Sequence, residues 1–121
     1  METEDNRIIA FDIKDDGALA NRRVFLRLDD LFPQAPHIWP DGIKIDKAGE
    51  IYIGQSPRSL DAPGKILVVD ADAKLLRTLS VPSPSMPNFA FGPDEKVLYV
   101  MALDQIDQAP WHGKVYAVPN K

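Results

Sequence analysis

Short apolar runs alternate with polar positions along most of this chain, and clusters of Gly, Pro and Asp separate them. No segment repeats its apolar residues every three to four positions, as an amphipathic helix would, whereas alternation is typical of strands. The pattern therefore predicts an all-β protein. Nine strands are expected, at residues 7–13, 22–28, 42–46, 50–54, 65–70, 75–81, 88–92, 97–102 and 114–118.

Two kinds of connection separate these strands. Four are tight turns in which Asp, Gly and Pro supply the backbone angles that hairpins need. They lie at residues 15–17, 46–49, 70–73 and 92–95. Asp46, Asp70 and Asp94 are accordingly interpreted as turn residues and not as acids of a catalytic pair. The other connections are longer and rich in Pro, and such loops on a rigid β scaffold often carry function. They are residues 29–40, 55–63, 82–87 and 103–112.

One strand-turn-strand unit occurs twice in the sequence. Its first copy runs from Pro40 through Asp46 to Ile53, and its second from Pro87 through Gly92 to Val100. Asp41 and Asn88 are 47 residues apart, and the same interval separates Tyr52 from Tyr99. A constant period of about 40–50 residues is typical of a four-stranded propeller blade.

The repeat divides the chain into parts of three successive blades. Residues 7–28 are expected to form the two outer strands of one blade, residues 40–81 a complete blade, and residues 87–118 the three inner strands of another. Residues 1–121 would thus form a single domain, a partial β-propeller of about two and a half four-stranded blades. Length alone also permits a sandwich or barrel of nine short strands, but neither requires a repeated unit at constant spacing.

Composition narrows the class of partner. With 14 basic and 18 acidic residues the formal net charge is −4, so no broad basic surface is available for a nucleic acid backbone. The chain contains no cysteine, which excludes disulfides, thiolate metal ligands and cysteine nucleophiles. The first residues are charged, so we expect no membrane partner and a cytoplasmic location, an expectation that weakens if the sequence belongs to a longer protein.

Several short motifs, in this order along the chain, resemble the senescence marker protein/gluconolactonase (regucalcin-like) family, from about Arg7 to Val118. The motifs are residues 7–13, 21–25, 40–46 with Gly49, 69–70 with 75–76, and 88–92 with 98–100. The resemblance implies a six-bladed propeller, of which this chain matches only the C-terminal part. It also implies hydrolysis of lactones or related esters at a divalent metal, often calcium, held at the mouth of the central channel.

Asp41, in the Pro-Asp-Gly motif, is the one metal ligand of the family that the resemblance carries over to this chain. The family's Glu ligand from the start of the propeller and its Asn ligand from a middle blade have no counterpart here. Asp41 is therefore expected to be a metal ligand and the catalytic residue that helps to activate a bound water. The alternative interpretation is a turn residue at the entry to a strand, a role that Asp before Gly often has.

Six further residues are candidates for contact with the substrate. Asn88 occupies the position of Asp41 in the next repeat, and it is either a substrate contact or an ordinary turn residue. The other candidates lie in loops that would wall a pocket, where an Arg or His could stabilise the oxyanion formed when water attacks a lactone carbonyl. Each is equally open to a surface or packing role. These loop candidates are His37, Trp39, Arg58, Trp111 and His112.

The length of the chain bears on its assembly. Six blades at the observed period would need roughly 280 residues, and this chain has 121. An open arc would leave apolar blade faces and strand edges in water, so we expect a homo-oligomer in which the arcs complete one another.

Functions of different classes fit these observations. The first is a metal-dependent lactone or ester hydrolase of the gluconolactonase type, using calcium or another divalent metal, with a site completed by other chains. The alternative is a non-catalytic propeller fragment that serves as an assembly or ligand-binding module, and a third possibility is that activity belongs to a longer parent protein. Other chemistries lack support, because no phosphate-binding glycine motif, paired-His zinc signature or nucleophile elbow occurs.

Overall fold

The computed structural model describes residues 5–33, 38–57, 62–104 and 109–120. Within these ranges the chain forms nine strands and one helical turn, α1 (Leu28–Leu31), and no helix there is long and apolar enough to cross a membrane. The strands are β1 (Arg7–Ile13), β2 (Leu19–Arg27), β3 (Ile38–Ile45), β4 (Ile51–Pro57), β5 (Gly64–Val69), β6 (Leu75–Val81), β7 (Ser85–Phe91), β8 (Val97–Leu103) and β9 (Gly113–Pro119).

The prediction of an all-β chain is confirmed, and β1 and β6 have the predicted bounds. The innermost strand of the middle sheet, β3, begins earlier than predicted because Trp39 and Pro40 pair with Ser56 and Gln55. The helical turn α1 is absent from the predicted pattern, since its four residues are too few to show a helical period.

The nine strands form three antiparallel sheets, each built from strands that follow one another in the chain. The first sheet contains β1 and β2, the second β3 to β6, and the third β7 to β9. Every strand therefore pairs with the next one within its sheet, which is the up-and-down arrangement of a propeller blade.

The second sheet is buried on both of its faces. Ile66 and Val68 of β5 belong to a hydrophobic cluster shared with the third sheet, whereas Leu67 and Val69 belong to a cluster shared with the first sheet. Successive side chains of a strand point to opposite faces, so one strand serves two cores. The three sheets are consequently stacked face to face in chain order. The first sheet and α1 contribute Ile8, Leu26 and Leu28, and the third sheet contributes Phe89, Leu98, Val100 and Val118.

Aspartates close the tight turns at one end of the second and third sheets. Oδ1 of Asp46 and Oδ1 of Asp70 each accept two hydrogen bonds of 2.9 Å, from the backbone N–H groups two and four residues later. Oδ1 of Asp94 accepts one of 3.1 Å from the N–H of Lys96. The interpretation of these three aspartates as turn residues is confirmed.

The interval of the structural repeat is one residue shorter for the first strands of the second and third sheets than for their second strands. Ile43 pairs with Ile53, and Phe89 pairs with Val100. The second strands are thus related by 47 residues, as in the sequence repeat, but the first strands by 46. The cause lies in the two turns: six residues separate the paired residues Phe91 and Leu98, whereas five separate the paired residues Ile45 and Ile51.

β-bulges interrupt both innermost strands near their starts. In β3, Asp41 and Gly42 lie opposite Gly54, and in β7 two residues lie opposite Ala102. Because the register relates first strands by 46 residues, it aligns Asn88 with Gly42 and not with Asp41. The two predicted site residues are neighbours in this alignment, but they are not equivalent.

Candidate functional site

The second and third sheets bring their loop ends to the same side of the molecule. At the opposite side their turns touch, because the backbone N–H of Lys47 donates to both carboxylate oxygens of Glu95, at 3.2 and 3.4 Å. The starts of β3 and β7 and the ends of β4 and β8 therefore share the other side, which we call the open end. Five of the predicted site residues come to this end from two different sheets, namely Trp39, Asp41, Asn88, Trp111 and His112.

Asp41 lies in the β-bulge at the start of β3, and its side chain is exposed. Within the described residues its carboxylate accepts no hydrogen bond and forms no ion pair. Partial burial raises the pKa of this carboxyl above its usual value, because desolvation penalises the charged form. The site thus presents an accessible carboxylate that is more basic than an ordinary aspartate.

Asn88 is joined to the neighbouring blade through Lys44, a residue that the sequence does not single out. Lys44 Nζ donates a hydrogen bond of 3.1 Å to Asn88 Oδ1, which also accepts one of 2.9 Å from the N–H of Phe89. The amide oxygen of Asn88 is therefore engaged by protein donors. Its Nδ2 has no hydrogen-bond partner among the described residues, so a ligand at this position would meet a donor.

The aromatic candidates are all exposed. Trp39 lies in β3 two residues before Asp41, whereas Trp111 and His112 immediately precede β9. The backbone N–H of Asp104 donates to the carbonyl of His112 at 3.1 Å and closes the base of the loop that carries both rings. A shared pocket wall stays a prediction for these residues. His37 and Arg58 lie outside the residues that the structure describes.

The base of this loop is held by a cluster of three side chains. The carboxylate of Asp104 accepts hydrogen bonds from Lys114 Nζ at 2.5 Å and from Tyr116 OH at 2.8 Å. The Lys114 hydrogen bond and, after it, the Tyr116 hydrogen bond lower the pKa of Asp104. Since Trp111 and His112 lie between Asp104 and Lys114, the cluster fixes both ends of their loop.

Gln55 is a second residue that sequence reasoning misses. It is the strand partner of Pro40, next to Asp41. Its side chain is buried, and among the residues that the structure describes its Nε2 has no hydrogen-bond partner. A buried donor without a partner is costly, and such groups are enriched where a ligand or water completes the bonding. The only sequence signal is a polar residue after the apolar run Ile51–Gly54, which strand alternation alone makes ordinary.

The donor set at Asp41 does not fit a complete calcium site within one copy. Across residues 5–33, 38–57, 62–104 and 109–120, no three Asp, Glu or His side chains are grouped so that they could hold a metal ion. Calcium takes about six to eight oxygen ligands, and one aspartate supplies at most two. Any metal bound at Asp41 would need oxygens from other residues or other copies.

Two comparisons with known proteins each match most of the chain. The family model of the SMP-30/gluconolactonase/LRE-like region matches residues 1–104. A solved structure of a luciferin-regenerating enzyme is similar in fold, with a TM-score of 0.74 at 22% sequence identity. The match covers 98% of this chain and 39% of that chain, so the present chain spans well under half the length of that enzyme. The predicted family and the predicted partial propeller are both confirmed.

Proposed function

Because the chain belongs to the SMP-30/gluconolactonase/LRE-like family, we propose that it hydrolyses a lactone or a related ester, with Asp41 as the catalytic residue. The observation that carries the proposal is the state of Asp41, an exposed carboxylate in a β-bulge whose pKa is raised by partial burial. A raised pKa makes a carboxylate a better acceptor of a proton at a pH where it is still ionised. Exposure leaves it within reach of a water molecule and a small substrate.

The chemistry assigned to Asp41 is that of a general base. Its carboxylate takes a proton from water as the water oxygen attacks the lactone carbonyl carbon. The carbon–oxygen bond of the ring then breaks, and the departing ring oxygen receives a proton, which the carboxyl of Asp41 can return. The product is an open hydroxy acid, and Asp41 ends the cycle ionised as it began.

Substrate contacts are assigned to the candidates at the open end. Nδ2 of Asn88 is a donor suited to a hydroxyl or carbonyl oxygen, and the exposed rings of Trp39 and Trp111 are suited to the apolar face of a small ring. His112 would supply a further polar group beside Trp111. His37 and Arg58 keep the same proposed role from the loops that flank β3 and β4.

A divalent metal, calcium by family likeness, is part of the proposal, with Asp41 as one ligand. Since the described residues of one copy do not complete its coordination, the remaining oxygens are assigned to neighbouring copies in a homo-oligomer. The test is the shift in melting temperature on adding calcium, compared between the wild type and Asp41→Asn. A shift in the wild type that disappears in the variant would support the metal role, and equal shifts would refute it.

The catalytic role is tested by following acid release from glucono-δ-lactone with a pH-stat. Asp41→Asn is expected to reduce kcat/KM by about 100-fold or more, the range seen when a general base is removed. Asp72→Asn is the matched control, because it changes another exposed aspartate in a turn of the second sheet and should leave the rate unchanged. An undiminished rate in Asp41→Asn would refute the assignment of Asp41.

A non-catalytic assembly or ligand-binding module is the second candidate function. One observation favours it: within the described residues no three potential metal ligands are grouped together, and Asp104, a second carboxylate at the open end, is already paired with Lys114 and Tyr116. This function predicts that the wild-type chain turns over no lactone and that calcium leaves its melting temperature unchanged. Measurable turnover that requires Asp41 would exclude it.

A further inference from the structure

The third sheet exposes an apolar surface on one of its faces. Strand pairing places Ala90, Tyr99 and Ala117 on this face, together with Met101 opposite Val115. We call these five residues the Tyr99 face. The side chains of Tyr99, Met101 and Val115 are 47%, 50% and 67% exposed, although their strand neighbours Leu98 and Val100 are fully buried on the other side. Contiguous exposed apolar surface of this kind commonly marks an interaction site.

The equivalent face of the second sheet is fully covered. Tyr52 precedes Tyr99 by one repeat and pairs with Val68, as Tyr99 pairs with Ala117. Tyr52 and Val68 are both buried, in the cluster that the second sheet shares with the third. Within the molecule, this face of a sheet therefore packs against the opposite face of the next sheet in the chain.

A face of that opposite kind is exposed at the other end of the stack. In the first sheet, Ile8 and Leu26 point toward the second sheet. Because side chains alternate along a strand, Ile9 and Phe11 point away from it, and so does Val24, which is paired with Ile9. We call these three residues the Phe11 face. Phe11 and Val24 are each 41% exposed.

We propose that the Tyr99 face of one copy packs on the Phe11 face of a second copy, so that the chain associates head to tail. Both surfaces belong to the same molecule. Within it, a face of the Tyr99 kind already packs on a face of the Phe11 kind in two places, between the first and second sheets and between the second and third sheets. An apolar groove bounded by Met101, Leu103 and Val115 offers a place for an inserted side chain such as Phe11. The contact joins two different surfaces, so it is heterologous and adds copies in one direction. The inference specifies the surfaces of the homo-oligomer that the proposed function invokes, but it rests on packing alone and does not depend on any chemistry at Asp41.

Sedimentation velocity on the purified chain provides the first test. The wild type is expected to sediment as an oligomer, and Val115→Asp and Phe11→Asp are each expected to shift it toward smaller species, because either change puts a charge into the contact. Leu76→Asp is the matched control, since Leu76 is also exposed but lies on β6, away from both faces, and it should leave the oligomer intact. A wild type that stays monomeric at every accessible concentration would overturn the proposal.

Mixing the two interface variants provides the decisive test. Val115→Asp retains an intact Phe11 face, and Phe11→Asp retains an intact Tyr99 face, so the mixture should form a one-to-one dimer while each variant alone does not. The recovered dimer would also show that both variants are folded. If the wild type associates but the mixture remains monomeric, the association uses other surfaces and the proposal is wrong.

Discussion

The ammonium group of Lys44 in β3 donates a hydrogen bond of 3.1 Å to Oδ1 of Asn88 in β7, and so joins the innermost strands of adjacent blades. Lys44 Nζ also donates to the carbonyl of Ile43 at 3.2 Å and lies 5.9 Å from the centre of the Phe89 ring. Asp41 lies three residues before Lys44 on the same strand. The bridge therefore connects the candidate catalytic strand to the next blade.

Replacing this lysine tests whether the bridge stabilises the blade contact. Lys44→Met keeps most of the aliphatic side chain but removes the hydrogen bond and the cation beside Phe89, so we expect a loss of about 1 kcal/mol in the free energy of unfolding. Urea denaturation at neutral pH measures the difference. Lys65→Met, at the exposed second position of β5, is the control and should change stability by less than about 0.5 kcal/mol. Equal losses in both variants would show that the bridge contributes nothing specific.

A second prediction concerns the buried hydroxyl of Tyr52. It accepts a hydrogen bond of 2.6 Å from Arg77, whose Nη2 also contacts Glu50 at 2.7 Å. Tyr52→Phe leaves the Arg77 donor with one partner fewer at a partly buried position, so the free energy of unfolding should fall by about 1–3 kcal/mol.

Tyr99→Phe is the control for this hydroxyl, because Tyr99 follows Tyr52 by one repeat and is exposed. It should change stability by no more than a few tenths of a kcal/mol, roughly the scatter of surface substitutions. Thermal or urea unfolding of both variants distinguishes the two cases. A Tyr52→Phe variant as stable as Tyr99→Phe would mean that water replaces the lost hydroxyl without cost.

Asp104 should make stability depend on pH in a defined direction. The Lys114 hydrogen bond, followed by that of Tyr116, lowers its pKa in the folded chain, so its stabilising contribution is present above the unfolded pKa and is lost as the pH falls through the folded one. Asp104→Asn should therefore be less stable than the wild type at pH 7, and this gap should close as the pH falls below about 4. Urea denaturation over a pH series measures the gap. In a Lys114→Met background most of the effect should disappear, and an unchanged gap there would exclude Lys114 as the main cause.

Much of the fold could be predicted from local pattern. Alternation identifies the strands, and the aspartates at positions 46, 70 and 94 identify turns, because both signals depend on residues close in the chain. The one-residue offset between Asp41 and Asn88 could not be predicted in this way. It comes from the turns, because six residues separate the paired residues Phe91 and Leu98 and only five separate Ile45 and Ile51, and the 47-residue repeat conceals this difference.

For a related reason, only part of the candidate site could be predicted from the sequence. Asp41 carries a motif, but Lys44 and Gln55 occupy ordinary strand positions. The importance of Lys44 comes from Asn88, which is 44 residues away and reaches it only when two blades pack together. The importance of Gln55 comes from the burial of its Nε2 without a hydrogen-bond partner in the described part of the chain, which a sequence does not display.

The last prediction uses stability to examine the proposed catalytic carboxylate. Folding raises the pKa of Asp41 through desolvation, so ionisation of this group costs the folded state free energy that the unfolded chain does not lose. Asp41→Asn removes that cost and should be slightly more stable than the wild type at pH 7, by less than about 1 kcal/mol because solvent screens an exposed group. The sign is opposite to that of Asp104→Asn.

The pH series separates this effect from a change in packing. As the pH falls through the raised pKa of Asp41, the wild type binds a proton in the folded state and regains the stability it lacked, so the gap should close below about pH 4. A packing effect of the Asn side chain would persist at low pH. An Asp41→Asn variant that is less stable than the wild type at pH 7 would show that the carboxylate is held by favourable contacts, and Asp41 would then be a structural residue of the bulge instead of a base kept ready for a substrate.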